Sequence, residues 1–267
     1  MSNERPAPRG RKIRVGVLFG GQSSEHAVSL ASAQSVIAAL DPDVYEIVPV
    51  GITRHGQWLT GGEPMRDLLA AGGQLTEQPP DTGAISHAVV PAARDTALTA
   101  GPEGVSRELH RLDVVFPVLH GPFGEDGTVQ GFLELADIAY VGSGVRGSAV
   151  GMDKAMMKAL FRDAGLPTPR AHLVRESEWA RAPGDVLRRI VTIIGLPCFI
   201  KPANMGSSVG VSKAEREDDI PGALVAAFHS DLDGRVLIEE AITGREVECS
   251  VLGNEEPVAS AVGEIIV

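Results

Sequence analysis

Two segments in the last third of the chain carry residue types that could bind a nucleotide. Lys201 ends an apolar strand and is followed by residues 203–210, a loop rich in glycine and serine. Such a loop can place backbone N–H groups and a cation against phosphate oxygens. A second apolar strand, residues 236–238, ends in Glu239 and Glu240. Because carboxylates can accept hydrogen bonds from an adenine amino group and from ribose hydroxyls, the two segments together predict a nucleotide site.

The lysines of this region could bind phosphate or could have roles that involve no ligand, and the sequence leaves both interpretations open. Lys154 is predicted in the first turn of a helix, where a cation is unfavourable by up to about 1 kcal/mol unless an anion is near, so its position favours a phosphate partner. Lys158, one turn later, is interpreted as a solvated surface charge. The segment around Lys201 lacks the GxxxxGK[ST] order of a P-loop, and a flexible tight turn is the alternative there.

Glu25 and His120 are candidates for contacts with a smaller ligand. Glu25 follows a strand at residues 13–19 and the pair Gly20-Gly21, at the edge where open α/β sheets place ligands. It could meet an ammonium group there, although the helix dipole alone also favours a carboxylate in a first turn. His120 ends the strand at residues 112–119 and faces a glycine-rich loop. It is therefore either a ligand contact or a histidine satisfied by loop carbonyls.

Residues 142–147 match the pattern GxGxxG, which is typical of a dinucleotide-binding turn. In a Rossmann fold this turn follows the first strand, whereas here it falls between two apparent domains. We therefore interpret it as a turn between domains, and an NAD-dependent enzyme is a remaining option.

The order of elements predicts a mixed fold, α/β at the amino end and α+β after it. Residues 12–146 alternate strands and helices, as in an open parallel-sheet domain. Within them, residues 61–104 are expected to form a variable insertion with little regular structure. Residues 147–235 predict a smaller central domain, and residues 236–267 the start of a third that is incomplete, because it ends on an apolar strand. Residues 1–11 are expected to be a disordered tail.

Charge and composition exclude several classes of protein. The chain has 267 residues, with 24 Lys and Arg against 35 Asp and Glu, for a net charge of −11. This is the wrong sign for a general nucleic-acid or anionic-membrane surface, and no apolar run is long enough for a membrane span. The two cysteines, Cys198 and Cys249, are both expected as buried strand thiols without metal spacing.

Four motifs, in order, resemble those of D-alanine–D-alanine ligases of the ATP-grasp class. They are residues 20–30, residues 120–128, residues 142–144 with 152–154, and residues 201–210. The similarity runs from about Val15 to the last residue, interrupted by the 61–104 segment. It implies an amino-terminal open parallel-sheet domain followed by a two-domain ATP-grasp fold, with ATP between the last two domains.

The resemblance implies a reaction and a set of residues. ATP would phosphorylate the carboxylate of one D-alanine, and the amine of a second D-alanine would attack the acylphosphate. Glu25 and His120 would bind the first D-alanine, and Ser207 would join the network that orients Glu25, so these three are the predicted catalytic residues. The lysines and Ser208 would lie at the phosphates and the adenine edge, and Glu246 at the ribose. The residues implied for ATP are Lys154, Phe199, Lys201, Ser208, Glu239, Glu240, Ile242 and Glu246.

The resemblance also implies Mg²⁺ or Mn²⁺, with ligands that would lie beyond Val267. The chain is therefore expected to be truncated, and inactive or very weak alone. The alternatives are a D-alanine–D-lactate ligase and a non-catalytic nucleotide-binding fragment. The implied setting is the bacterial cytoplasm, in the synthesis of peptidoglycan precursors, and the implied assembly is a homodimer.

Overall fold

The computed structural model describes residues 10–70, 84–85 and 111–266. Its longer strands form two sheets, one within residues 13–117 and one within residues 171–240. Residues 1–9 of the expected tail and much of the 61–104 segment lie outside the described residues. Arg11, the last residue of that tail, is described and forms an ion pair with Asp113 at 2.6 Å. Across the described ranges, every helix is too short or too polar to span a bilayer.

The first sheet contains five strands, Ile13–Gly20 (β1), Tyr45–Ile52 (β2), Trp58–Thr60 (β3), Ala84–Ile85 (β4) and Val114–Pro117 (β5). Their order is β4-β3-β2-β1-β5. β1 runs parallel to β2 and β5, whereas β3 pairs antiparallel with β2 and β4. The predicted open parallel sheet is therefore confirmed at its centre and carries an antiparallel edge.

Helices cover both faces of this sheet, as expected for parallel strands that are buried on both sides. Helices His26–Ala39 (α1) and Pro64–Ala70 (α2) pack against Val17 and Phe19, and Thr128–Leu135 (α3) packs against Leu18. Both α2 and β4 fall inside residues 61–104. The expectation of little regular structure is therefore wrong for the described part of that segment, because Leu68 anchors α2 in the core.

Two consecutive helices, Val145–Met152 (α4) and Lys154–Asp163 (α5), connect the sheets. The chain breaks between these helices at Asp153, whose side chain accepts hydrogen bonds from the backbone N–H groups of Ala155 and Met156 at 2.9 and 3.0 Å. This N-cap starts α5 at Lys154 and confirms the prediction that Lys154 lies in a first helical turn.

The second sheet is antiparallel and has the strands Ala171–Arg175 (β6), Cys198–Pro202 (β7), Ser212–Ala214 (β8) and Arg235–Glu240 (β9). Their order is β6-β9-β7-β8. Two helices follow β6 along the chain, Glu176–Arg181 (α6) and Pro183–Ile193 (α7), and one follows β8, Ile220–Ser230 (α8). Ile200 and Ile238 form one core with residues of α7 and α8. Because side chains alternate along a strand, the neighbouring residues Lys201 and Glu239 project from the opposite face.

The last part of the chain forms two short antiparallel pairs. Glu246–Glu248 (β10) pairs with Gly263–Ile265 (β13), and Val251–Leu252 (β11) pairs with Val258–Ala259 (β12). Short breaks at residues 249–250 and 260–262 separate β10 from β11 and β12 from β13. Every residue from 242 to 266 is exposed, so Cys249 is exposed and the expectation of a buried thiol is wrong there. Cys198 is buried, as predicted.

Candidate functional site

The open face of the second sheet carries a charged cluster. Phe199 and Lys201 on β7 lie beside β9, where Phe199 is in register with Glu239. Because these three residues occupy alternate positions of neighbouring strands, their side chains share the face that is not covered by α7 and α8. The predicted nucleotide residues of the two strands are therefore brought together.

Glu239 is the centre of this cluster and forms ion pairs with two lysines. Its side chain is only 6% exposed; Oε1 lies 2.7 Å from Lys158 Nζ, and Oε2 pairs with Lys201 Nζ. Burial on its own would raise the pKa of this carboxyl, but the contacts with Lys158 and Lys201 outweigh it and hold the pKa below its usual value. Glu239 is therefore a buried anion.

Lys158 corrects one interpretation of the sequence. It was expected to be a solvated surface charge, yet its side chain is 11% exposed and its ammonium group pairs with Glu239 Oε1 at 2.7 Å. A lysine is almost never this buried unless it is paired. The spacing of Lys154 and Lys158 along α5 could have indicated that both face the sheet, because residues four apart share one face of a helix.

Lys154 lies beside the glycine-rich loop, with its ammonium group donating to the carbonyl of Met205. Its backbone N–H also donates to the carbonyl of Ala203 at 3.0 Å. Burial, and next the positive charge of Lys201, lower the pKa of Lys154. Two cations that disfavour each other in a partly buried place favour an anion between them, which fits the predicted phosphate contact.

A buried ion pair connects the start of α5 to β9. Arg235 Nη1 lies 2.8 Å from Asp153 Oδ2, with side-chain exposures of 15% and 7%. Arg235 also contacts Asp233 at 3.1 Å, and Asp233 accepts a hydrogen bond from the side chain of Asn204 at 3.0 Å. This network holds Lys154 in a fixed position relative to the loop that begins at Ala203, and the sequence analysis did not identify it.

The glycine-rich loop has two consecutive left-handed residues that are not glycine. Ser207 has φ +47° and Ser208 has φ +57°. Such a conformation costs about 1–2 kcal/mol per residue and concentrates at functional sites. Ser208 is exposed, and the hydroxyl of Ser207 donates a hydrogen bond to Glu25 Oε1, a residue 182 positions earlier in the chain.

Glu25 is buried at the start of α1, where two glycines approach its carboxylate. A Cβ on Gly121 would lie 2.5 Å from Glu25 Oε2, and a Cβ on Gly206 would lie 3.1 Å from it. Glu25 is the N-cap of α1 but makes no capping hydrogen bond with its side chain. Its carboxylate instead contacts Ser207, so favourable placement in the helix dipole does not by itself explain this residue.

His120 lies in the same region, at the carboxyl end of β5. Its Nε2 is 3.0 Å from Ser32 Oγ, and its Nδ1 is 4.0 Å from Glu125 Oε1. The hydroxyl of Ser23 donates to the carbonyl of His120 at 2.7 Å, which connects this loop to the one that carries Glu25. The histidine is thus held by side chains rather than by loop carbonyls, and it remains half-buried.

Three of the predicted ATP residues lie away from the charged cluster. Glu240 points to the other face of β9, where Arg170 donates to it from its backbone at 2.8 Å and its side chain at 2.6 Å. These hydrogen bonds lower the pKa of the Glu240 carboxyl. Ile242 and Glu246 are exposed in the last segment of the chain. The side chains of Glu240, Ile242 and Glu246 are therefore not part of the site. The predicted residues that the structure brings together are Glu25, with His120 beside it, Ser207, Ser208, Lys154, Lys201, Phe199 and Glu239.

The GxGxxG segment follows a single bridge rather than a full strand. Tyr140 pairs in parallel with Val115 at one position only, and Gly144 is the N-cap of α4. This agrees with its interpretation as a turn between domains. Among the described residues, no group of three or more His, Cys, Asp or Glu is arranged to hold a metal ion.

Comparisons with known proteins cover nearly the whole chain. Residues 14–143 match the family described as D-ala D-ala ligase N-terminus, and residues 160–267 match D-ala D-ala ligase C-terminus. A D-alanine–D-alanine ligase of Geobacillus kaustophilus is 46% identical over 258 residues, which are 96% of this chain and 67% of the relative. One from an Arthrobacter species is 44% identical, over 99% of this chain and 69% of the relative.

Solved structures give the same result. The D-alanine–D-alanine ligase of Coxiella burnetii superposes with a TM-score of 0.76 at 33% identity, covering 96% of this chain and 71% of that one. The VanG D-Ala:D-Ser ligase of Enterococcus faecalis also reaches 0.76 at 32% identity, covering 95% and 70%. The two family matches, the identities and the shared fold together establish that this chain belongs to the D-alanine–D-alanine ligase family.

Proposed function

We propose that this protein takes part in the ATP-dependent joining of two D-alanines to D-alanyl-D-alanine. The observation that carries the proposal is the hydrogen bond from Ser207 to Glu25, which links the glycine-rich loop to the first sheet. A carboxylate suited to an ammonium group then lies next to a loop suited to phosphate. The relatives named D-alanine–D-alanine ligase support the identity of the amino acid.

The chemistry follows from what these residues can do. Lys154 and Lys201 supply positive charge for the phosphates, and Ser208 supplies a hydroxyl at an exposed turn. Glu25, with His120 beside it, orients the ammonium group of the first D-alanine so that its carboxylate faces the terminal phosphate. Phosphorylation then provides a good leaving group, which the amine of the second D-alanine displaces. Positioning and electrostatic stabilisation are the contributions of the protein to this reaction.

For the adenosine part of ATP, we propose contacts at the end of β9. Phe199 and Glu239 lie on the face that carries the lysines. The backbone of residues 240–242 offers hydrogen-bonding groups for the adenine edge, and Glu246 is proposed for the ribose. Magnesium is proposed as the partner of the phosphates, and its ligands are not assigned to residues of this chain.

A titration experiment tests the proposal directly. We expect ATP and D-alanine each to bind when they are added separately in a calorimeter, and Glu25→Gln to remove D-alanine binding while it preserves ATP binding. Binding of ATP without any D-alanine effect would instead favour a non-catalytic nucleotide-binding fragment. Binding of NADH in place of ATP would favour a dinucleotide enzyme that uses residues 142–147.

The second substrate defines the alternative within the same family. One structural neighbour is named a D-Ala:D-Ser ligase, which keeps the second amino acid or hydroxy acid open. Supplying D-alanine, D-serine and D-lactate in competition, and measuring amide and ester products at several pH values, distinguishes these activities. Predominant ester product would support a D-alanine–D-lactate ligase.

We also propose that the protein acts in the cytoplasm, that it serves the synthesis of peptidoglycan precursors, and that it assembles as a homodimer.

A further inference from the structure

Lys158 is a buried charge for which the proposed reaction has no use. Its ammonium group lies 2.7 Å from Glu239 Oε1, and the two side chains are 11% and 6% exposed. Burying two charges is costly, and a pair of apolar residues of similar size often serves stability equally well. The pair therefore calls for an explanation beyond stability.

We propose that Lys158 is a positioning residue of the nucleotide site, which keeps Glu239 neutralised so that Lys201 can move from this carboxylate to a phosphate. The inference rests on the proposed function, because it assumes that Lys201 meets the phosphates of ATP. Lys158 itself touches neither the nucleotide nor the amino acid in this proposal.

The unequal burial of the two lysines supports this division of roles. Glu239 offers one oxygen to each lysine, and the side chain of Lys201 is 23% exposed against 11% for Lys158. Lys201 is also on β7, directly before the glycine-rich loop, whereas Lys158 lies on the second turn of α5. Lys201 is thus the partner that can turn toward the loop, and Lys158 is the one that stays.

Electrostatics explains why one lysine has to stay. If Lys201 left Glu239 with no second partner, the carboxylate would be an uncompensated buried charge, which is strongly unfavourable. Glu239 would then retain Lys201 and compete with the phosphate for it. With Lys158 in place, the carboxylate keeps a counter-ion throughout. Lys154 also faces this cluster, and its charge repels that of Lys201 when both are protonated.

The test compares two ligands that differ only in their phosphates. In Lys158→Met, we expect the dissociation constant for ATP to rise about tenfold, as for the loss of one charge-assisted contact, while that for adenosine stays unchanged. Lys158→Arg should restore most of the ATP affinity, because it keeps the charge. The matched control is Lys12→Met, which removes an exposed lysine that donates to the carbonyl of Pro42 at 2.6 Å, away from the second sheet; it should change neither constant.

A second pair of variants covers the case in which Lys158→Met does not fold. If Lys158 acts through Glu239, then Glu239→Gln and the double variant Lys158→Met with Glu239→Gln should have the same ratio of ATP to adenosine affinity, within about twofold. A clear difference between these two would overturn the inference. So would an equal loss of ATP and adenosine binding in Lys158→Met, or no loss at all. Failure of the unmodified chain to bind ATP would instead overturn the proposed function.

Discussion

Gly121 leaves the space that the Glu25 carboxylate occupies, and replacing it tests the assignment of that carboxylate. The residue has φ +72°, and an added Cβ would lie 2.5 Å from Glu25 Oε2. No such contact is sustained, so in Gly121→Ala the end of the glutamate side chain has to move. Because Glu25 Oε1 accepts the hydrogen bond from Ser207, the movement also disturbs the link between the two sheets.

Gly121→Ala is expected to have two effects, a loss of folding free energy and a loss of D-alanine affinity, and a matched control can separate them. The left-handed conformation alone costs an alanine about 1–2 kcal/mol of folding free energy. Gly165 has φ +74° and nothing within 4 Å of its ideal Cβ, so Gly165→Ala carries this cost without a clash. The displaced carboxylate adds the loss of a charged contact to the ligand ammonium, which we expect to weaken D-alanine binding by about tenfold or more.

The assay is denaturant unfolding together with calorimetric titration of D-alanine for both variants. We expect similar losses of stability, and a loss of D-alanine affinity in Gly121→Ala alone. Unchanged D-alanine binding in Gly121→Ala would refute the role of Glu25 as a ligand contact. Equal weakening in Gly165→Ala would show that affinity follows stability rather than the position of the carboxylate.

Three further predictions concern the buried charges. The pKa of Glu239 lies below its usual 4.5, so the charged carboxylate stabilises the fold above that pH, and this contribution is lost as the pH falls through the folded-state pKa. The free energy of unfolding should therefore differ less between pH 7 and pH 3 in Glu239→Gln than in the unmodified chain. The lowered pKa of Lys154 should appear in a side-chain NMR titration as a midpoint below the usual lysine value of 10.5, and ATP should raise it. A midpoint at the usual value would contradict the burial of Lys154. Arg235→Met should cost about 3 kcal/mol of unfolding free energy, because it leaves Asp153 buried and unpaired. Arg66→Met, at an exposed pair with Glu63, is the control and should change stability by less than about 1 kcal/mol.

Local pattern was sufficient for several of these residues. The apolar strands before Glu25, His120 and Lys201 placed all three at strand ends, and the structure has each of them at or just beyond the end of a strand. The position of Lys154 in a first helical turn was also predicted, and the structure shows Asp153 as the N-cap that starts this helix. Whether the charged side chains of this helix are buried was harder to predict, because a lysine can be solvated or buried depending on what the helix packs against. Lys158 was therefore misjudged.

The end of the chain shows the opposite case, in which a local pattern suggested burial that the fold does not provide. Cys249 alternates with apolar residues, as a buried strand residue would, yet it is exposed together with its neighbours. Alternation identifies a face, but only a packing partner buries it. In the same way, Glu239 and Glu240 are adjacent in sequence and lie on opposite faces of β9, one with two lysines and one with Arg170.

The sequence by itself determined the order of strands and helices and the residue types that could bind phosphate and an amino acid, because these depend on spacing along the chain. Only the tertiary structure decided which of them meet: Ser207 reaches Glu25 across 182 positions, and Glu239 is neutralised by two lysines from different elements. Contacts of this kind depend on how two separately folded sheets face each other. That arrangement arises from packing over the whole chain, which no short segment encodes.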